Sequence, residues 1–353
     1  MIPFEGSGGP NDAAQLDSRS AGFGRAVPRP LGIEPAAAAG GGWAGLLLID
    51  KPVGVTSHDV VVKVRRRLRS PGAGHLGTLD PAASGLLVVA LGAATRAIQV
   101  WQGGEKTYEG TILLGVATAT QDLQGEVLER RPVTADEAAV RAAALRFVGE
   151  LEQVPPMVSA LKVGGRRLHR LARRGLTVER APRPVRVASW EWLGFDLPEA
   201  RFRVRCSGGT YVRTLAHDLG AALGCGGALK ALRRTRSEPF DIERALGLRE
   251  LDGLEPEATL ERSGVPLDRA LEVLPAVVLD AAAVAAVGTG GRPVVSAVGL
   301  PLGGGPRSVV LRDGSGRALA LGELAPHGGD PALALACPHV VFPWAVRTGR
   351  QVT

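Results

Sequence analysis

The chain has 353 residues, 45% of them apolar, which is enough for a packed core and suggests about two domains. It has no apolar run of about eighteen residues, which excludes a membrane-spanning helix. Its three widely spaced cysteines disfavour a disulfide framework or a zinc site and fit a reducing cytoplasm. The net charge of +7 favours a polyanionic partner.

Residues 1–42 are rich in Gly, Pro, Ser and Ala and contain few large apolar side chains. Such a segment cannot offset the entropy cost of ordering, so we expect a disordered tail. Residues 1–30 also lack a basic start followed by an apolar core, so no signal peptide is predicted. Order is predicted to begin with an apolar strand at residues 45–50, followed by a helix capped by Ser57.

Residues 72–85 contain four glycines and Pro81, which disfavour a regular helix or strand there. The apolar run Leu86–Leu91 that follows is typical of a buried strand. Asp80 is therefore predicted to lie on a rigid loop that leads into the core, where reactive groups are often found. The alternative is a carboxylate that caps a turn through its own backbone.

Two further elements are predicted before residue 150. Residues 108–114 alternate well enough to form a strand. The run from Thr134 to Glu137 matches a capping box, and Val140 and Phe147 continue a helical spacing that ends near Gly149.

Residues 155–186 carry nine basic side chains and one acid, Glu179. A surface stabilised by ion pairs needs both signs of charge, so this run favours an element that contacts phosphates. A solvated charged helix is the alternative. The basic residues are Lys162, Arg166, Arg167, Arg170, Arg173, Arg174, Arg180, Arg183 and Arg186.

The second half of the chain continues with a predicted strand at residues 202–206 and a helix at residues 214–223. The composition changes after about residue 250. Residues 251–275 are predicted to form a helical connection, and residues 276–350, which are rich in Val, Gly and Pro, a small β domain.

Three kinds of side chain remain as candidates for chemistry: the loop carboxylate of Asp80, the tyrosines and the arginines. The sequence has no P-loop, no Gly-x-Ser-x-Gly elbow and no His-Glu-x-x-His motif. The chain has only two tyrosines, Tyr108 and Tyr211, and each either packs in the core or stacks on an extruded base. Arg213 either neutralises a buried carboxylate, clamps a phosphate or forms an exposed ion pair.

Six sequence blocks in order resemble the TruB family of tRNA pseudouridine synthases, over about residues 44–250. The blocks are Leu48–Ser57, Gly74–Pro81, Lys106–Tyr108, Gln153–Lys162, Gly209–Thr214 and Leu232–Arg234. The resemblance implies isomerisation of uridine to pseudouridine at position 55 in the T loop of tRNA, without a metal or organic cofactor.

The resemblance also implies the architecture. We expect an α/β fold of the α+β type, with a large mixed and mainly antiparallel sheet in a catalytic domain at residues 43–250. Residues 155–186 match a basic insertion that closes over the RNA stem-loop, and residues 276–350 occupy the place of a PUA-like RNA-binding domain. A cytoplasmic monomer that needs no protein partner is expected.

The resemblance assigns the catalytic roles to three residues. Asp80 matches the nucleophile, Tyr108 the tyrosine that stacks on the target base and takes part in proton removal, and Arg213 the arginine that pairs with the nucleophile. The residues expected to bind substrate or support the pocket are Lys51, His75, Asp122, Tyr211 and Leu232, together with Lys162, Arg166, Arg167, Arg170, Arg173 and Arg174 of the insertion.

Two positions depart from the family pattern. His169 stands where a tyrosine is expected, and Ala119 where an acid is frequent. Two other functions remain open at this point. One is a non-catalytic RNA-binding or tRNA-folding module, and the other is an enzyme directed by a guide RNA and dependent on protein partners.

Overall fold

The computed structural model describes residues 43–159, 162–163, 166–168, 176, 178–300 and 307–348. The predicted disordered tail, residues 1–42, lies outside the described residues. So do Arg170, Arg173, Arg174 and His169, and so do the side chains of Lys162, Arg166 and Arg167. In the described ranges, no helix has the length and apolar character that crossing a membrane requires.

The first half of the chain alternates short helices with strands. In chain order the elements are β1 (Gly45–Lys51), α1 (Ser57–Arg67), β2 (Ala73–His75), β3 (Ala83–Leu91), α2 (Gln99–Gln102), β4 (Lys106–Leu114), β5 (Val116–Thr118), β6 (Val127–Arg130), α3 (Glu137–Leu145) and β7 (Gly149–Gln153). These bounds confirm the strands predicted at residues 45–50, 86–91 and 108–114. The prediction of no strand at residues 72–85 is wrong in part, because β2 and the first three residues of β3 lie there.

The second half completes the main sheet and adds a smaller one. Its elements are β8 (Lys162–Val163), β9 (Arg166–Arg167), β10 (Arg183–Asp196), β11 (Glu199–Cys206), α4 (Val212–Ala222), β12 (Gly227–Ser237), β13 (Phe240–Asp241), β14 (Leu246–Gly247), α5 (Pro256–Ser263), β15 (Gly264–Pro266), α6 (Leu267–Ala270), β16 (Ala276–Val278), α7 (Ala281–Gly288), β17 (Val294–Ser296), β18 (Arg307–Arg312), β19 (Ala318–His327), β20 (Asp330–Val341) and α8 (Pro343–Thr348).

The main sheet is mixed and mainly antiparallel, as expected. Its strand order is β14-β1-β3-β12-β4-β11-β10-β7, with β2, β13 and β15 attached to β3, β12 and β1. The two parallel pairs are β1 with β14 and β3 with β12. Strand β12 thus lies between two strands from the first third of the chain, β3 and β4.

Both faces of the central strands are buried, which explains why β1 and β3 are almost continuously apolar. On one face Leu47 and Ile49 pack with Val60 of α1, and on the other Leu46 and Leu48 belong to a cluster that includes Phe342. The second face is thus covered partly by residues of the C-terminal part of the chain.

A five-stranded sheet in the order β16-β18-β19-β20-β17 forms in the C-terminal part. The stretch at residues 251–275 holds α5 and α6, and its strand β15 also pairs with β1 of the main sheet. The domain boundaries and the PUA-like character of the C-terminal part stay predictions.

Two predicted helix caps are wrong by one or two residues. Helix α1 is capped by Thr56, whose hydroxyl accepts a hydrogen bond from the Asp59 amide in a capping box, and not by Ser57. The Ser57 hydroxyl instead contacts the backbone of Leu79. Helix α3 is capped by Asp136, and not by Thr134.

Candidate active site

A cavity of about 500 Å³ opens between the Asp80 loop, strands β4 and β12, and the start of α4. The residues that line it include members of five of the six sequence blocks, all but Leu48–Ser57. They are Leu76, Gly77, Thr78, Leu79, Asp80, Ala83, Gln102, Lys106, Tyr108, Ser159, Gly209, Thr210, Tyr211, Val212, Arg213, Leu229, Leu232 and Arg234.

The loop that carries Asp80 is held by hydrogen bonds on both sides of the carboxylate. The Ser57 hydroxyl donates to the carbonyl oxygen of Leu79 and accepts from its amide, both at 2.9 Å. The Gly54 amide donates to the carbonyl oxygen of Pro81 at 2.8 Å. The Asp80 side chain itself stays 44% exposed. A fixed backbone therefore presents a carboxylate that remains open to the cavity.

Arg213, in the first turn of α4, lies at the centre of the charged groups. Its Nη2 atom is 3.4 Å from Asp80 Oδ2 and donates to the carbonyl oxygen of Val158 at 2.6 Å, and its Nη1 atom is 3.9 Å from Asp122 Oδ2. Its side chain is only 5% exposed. Within the described residues, no backbone amide donates to the Asp80 carboxylate, so Arg213 and not a turn amide is its partner.

The surroundings of Asp80 shift its pKa upward. Loss of solvent around the carboxyl group is the largest cause of the raised pKa, and the nearby Asp122 charge adds to it. The positive charges of Arg213 and Lys51 lower the pKa and so oppose this shift. Arg213 is thus the main group that favours the ionised, nucleophilic form.

Tyr108 lies on β4, directly between Val204 of β11 and Arg234 of β12. It is almost fully buried, and burial raises the pKa of its phenol, whereas the charge of Arg234 and a hydrogen bond from it lower the pKa. The phenol is therefore protonated at neutral pH. In that form it offers an aromatic face and a hydroxyl to a ligand in the cavity.

Tyr211 of the cavity wall is held by Gln153, to which the sequence patterns assigned no role. The Gln153 side chain accepts from the Tyr211 amide at 2.8 Å and donates to the Tyr211 carbonyl oxygen at 3.1 Å. The Tyr211 ring lies 5.7 Å from the Arg213 guanidinium carbon. Leu232, half-buried on β12, supplies an apolar surface beside them.

Three of the expected residues lie behind or beside the cavity. Lys51 is fully buried, donates to the carbonyl oxygens of Pro52 and Val55, and has its pKa lowered to about 8 by burial. Asp122 is fixed by Thr120 and by the Gln124 amide. His75, on β2, is half-buried, and burial lowers its pKa, which favours the neutral imidazole.

Lys106 and Arg234 are two buried cations of the cavity wall that lie in the sequence blocks but were assigned no role. The pattern contains a signal for both, because side chains two apart on a strand share a face. Lys106 therefore shares the face of Tyr108, and Arg234 that of Leu232. Within the described residues, no cluster of three His, Cys, Asp or Glu side chains could hold a metal ion.

Two family models match the chain consecutively. Residues 65–212 match the TruB family pseudouridylate synthase N-terminal domain, and residues 213–272 match the tRNA pseudouridylate synthase B C-terminal domain. Asp80, Tyr108 and Asp122 lie in the first match, and Arg213 and Arg234 lie in the second.

Curated relatives agree with these matches. The chain is 50% identical over 238 residues to tRNA pseudouridine synthase B of Burkholderia mallei, covering 67% of this chain and 78% of the relative. It is 49% identical over 243 residues to the protein of the same name from Cupriavidus metallidurans, covering 68% of this chain and 76% of the relative.

Solved structures extend the likeness to the fold. A Cbf5-Nop10-Gar1 complex contains a chain with a TM-score of 0.62 and 30% identity, covering 84% of each chain. An archaeal box H/ACA sRNP Nop10-Cbf5 complex gives a TM-score of 0.62 and 28% identity, covering 85% of this chain and 88% of that one. With the sequence blocks, the family models and the relatives in agreement, the chain belongs to the TruB family of pseudouridylate synthases.

Proposed function

We propose that the chain converts uridine to pseudouridine at position 55 in the T loop of tRNA, without a metal or organic cofactor. The observation that carries the proposal is the meeting of Asp80, Tyr108 and Arg213 at one cavity. The names of the curated relatives support the reaction and the substrate class.

The first step is to bring the uridine into the cavity. A base inside a folded RNA loop is not accessible, so the nucleotide must flip out at a cost of a few kcal/mol. Stacking on an aromatic ring returns about 1–3 kcal/mol per base. We assign the stacking to Tyr108 and the apolar contact to Leu232, since both line the cavity.

Asp80 then acts as the nucleophile, most simply at C1′ of the ribose, as the glycosidic bond breaks. Arg213 favours the ionised carboxylate, and the hydrogen bonds to Leu79 and Pro81 hold the loop still. The freed uracil turns and rejoins the sugar through C5. We assign to the Tyr108 hydroxyl a part in the late proton transfer from C5.

The RNA outside the cavity is assigned to the basic insertion. Its first residues contact the site directly, because Val158 accepts a hydrogen bond from Arg213. Gln153, which lies just before the insertion on β7, holds Tyr211. We assign phosphate contacts to Lys162, Arg166, Arg167, Arg170, Arg173 and Arg174. A cytoplasmic monomer that acts on the T stem-loop without a protein partner is part of the proposal.

The test is the purified chain alone with an unmodified tRNA transcript, followed by position-specific mapping of pseudouridine. We expect conversion at position 55 and none in a matched transcript with cytidine there. Binding without conversion would favour the non-catalytic RNA-binding module. Conversion only after protein partners and a guide RNA are added would favour the guide-directed enzyme.

A further inference from the structure

Arg234 is a buried cation without an acidic partner. It is 2% exposed, and it donates to the carbonyl oxygens of Leu86 at 2.7 Å and Gly77 at 3.1 Å. Within the described residues, no carboxylate lies within 4.0 Å of its guanidinium, whereas its neighbour Arg233 forms an exposed ion pair with Asp50 at 2.7 Å. The two adjacent arginines therefore differ in burial and in whether a carboxylate neutralises them.

Arg234 shares this property with two lysines. Lys106 is buried and donates to the carbonyl oxygens of Gln102 and Gly104, and Lys51 donates to two others. In the described part of the chain, neither has a carboxylate within 4.0 Å. A methyl group placed on Gly77 would lie 3.5 Å from Arg234 Nη1 and 3.7 Å from Lys106 Cε. One side of the cavity therefore carries an excess of buried positive charge.

Burying such charges is costly, and an apolar residue of similar volume would fill the same space without that cost. Apolar packing therefore gives no reason for an arginine at this place, and its two hydrogen bonds to Leu86 and Gly77 use only part of the guanidinium. The guanidinium has five N–H donors. The backbone oxygens of Leu86 and Gly77 take two of them, and the Tyr108 hydroxyl accepts a third. Since Arg234 lines the cavity, donors remain for a ligand inside it.

We propose that Arg234 is a further catalytic residue of this chain, whose guanidinium contacts the flipped uracil and stabilises the negative charge that the ring acquires when its bond to the sugar breaks. The inference rests on the proposed function and names the group that stabilises the uracil as it leaves the sugar. Fixed positive charge in a water-poor pocket is most effective where charge develops in the transition state.

The charge balance of the reaction explains the need for such a group. When the C1′–N1 bond breaks, its electron pair stays on the uracil, while an Asp80 oxygen forms a bond to C1′. The ring is then anionic, with charge on its carbonyl oxygens. When C5 attacks C1′, the bond to Asp80 breaks and its electrons return to the carboxylate. C5 loses one proton and N1 gains one.

The test compares R234M and R234K with R233M, the matched control from the exposed ion pair. Single-turnover conversion of tRNA is measured beside the tRNA dissociation constant and the thermal midpoint. We expect R234M to lose about 100-fold or more in rate. Its tRNA affinity should be kept, whereas its thermal midpoint should fall, because the carbonyl oxygens of Leu86 and Gly77 lose a donor. R233M should match the wild type in all three measurements.

R234K supplies a readout that a structural role would not change. Arginine stays charged at every working pH. A lysine at 234 would stand in the surroundings of Lys51 and Lys106, for which burial lowers the pKa to about 8. The other titratable groups there, His75, Asp80 and Tyr108, are common to both proteins. We therefore expect the ratio of wild-type to R234K rate to rise from about pH 7 to about pH 9.

The outcomes separate cleanly. A ratio that stays constant with pH, or an R234M rate equal to that of the wild type, would overturn the inference. A loss confined to tRNA affinity would also overturn it, because Arg234 would then bind RNA only. If R234M fails to fold, the pH dependence of R234K decides. A wild-type protein that forms no pseudouridine would instead refute the proposed function itself.

Discussion

Arg213 donates a 2.6 Å hydrogen bond to the carbonyl oxygen of Val158. The donating Nη2 atom is the one that lies 3.4 Å from the Asp80 carboxylate. Val158 belongs to the first residues of the basic segment at 155–186 that we expect to contact RNA. A single guanidinium therefore contacts both the assigned nucleophile and the start of the assigned RNA-binding element.

Replacing Asp80 with asparagine should abolish pseudouridine formation while leaving tRNA binding largely intact. The amide keeps the size of the side chain but lacks the nucleophilic oxygen. Mapping of pseudouridine and a filter-binding titration measure the two properties. The exposed Asp252, which pairs with Lys63, offers a matched Asp252→Asn control. Measurable turnover by Asp80→Asn would refute the nucleophile assignment.

Replacing Arg213 with glutamine should move the acid limb of the kcat/KM profile to higher pH. The Arg213 charge lowers the pKa of Asp80, so its removal raises that pKa and leaves less carboxylate at any acidic pH. Because the Asp80 side chain is 44% exposed, solvent screens part of the Arg213 charge, and the limb should move without being lost.

The measurement is kcat/KM from acidic to alkaline pH, which reports ionisation in the free enzyme. Part of the lost activity should return as pH rises. Arg141→Gln, which removes an exposed helical ion pair with Glu137, is the control. Two profiles of the same shape, differing only in height, would argue that Arg213 does not set the ionisation of Asp80.

Replacing the insertion arginines together with glutamine should weaken tRNA binding and flatten its dependence on salt. Each lost phosphate contact should reduce the slope of log K against log salt by about 0.7–0.9. The five are Arg166, Arg167, Arg170, Arg173 and Arg174. The control replaces three arginines that already pair with glutamates, Arg141, Arg262 and Arg269. An unchanged slope in the five-fold variant would support the alternative of a solvated charged surface.

Replacing Gly85 with alanine should disturb the junction of β3 and β12. Gly85 has a φ of +103°, and a Cβ atom there would lie 2.2 Å from the carbonyl oxygen of Arg234. Gly54 has a similar φ of +94°, but a Cβ would meet no atom within 4 Å. Comparing the two variants therefore separates the cost of a positive φ from the cost of a steric clash.

We expect Gly54→Ala to cost about 1–3 kcal/mol of unfolding free energy. Gly85→Ala should cost more and should also lower the rate of conversion, because β12 carries Leu232 and Arg234. Urea unfolding and single-turnover assays measure these effects. Equal losses of stability in the two variants would contradict the close approach of β12 to Gly85.

Local sequence patterns predicted the strands well, because the period and the apolar content of β1, β3 and β4 are set by the faces they bury. They failed at the cap of α1, where two adjacent hydroxyls fit the same motif. The choice between Thr56 and Ser57 depends on the contact of Ser57 with Leu79, which is 22 residues away in the chain. Such a contact leaves no local signal.

The candidate site was predictable only in part, and for the same reason. The glycines and the proline around Asp80 predicted a rigid loop, but its contact with Arg213 requires strand pairings across more than one hundred residues. Alternation put Arg234 on the same face as Leu232, yet it did not indicate which face borders the cavity. The resemblance named Asp80, Tyr108 and Arg213, and the geometry added Gln153, Lys106 and Arg234.

The position of β12 in the sheet has a consequence for synthesis of the protein. Asp80 precedes β3, Tyr108 lies on β4 and Arg213 lies on α4. Among the described strands, β12 alone joins the half of the sheet that contains β3 to the half that contains β4. This strand is made more than one hundred residues after both of its neighbours. A nascent chain therefore cannot close its reactive centre until Ser237 has left the ribosomal exit tunnel, so translation itself delays the first encounter with tRNA.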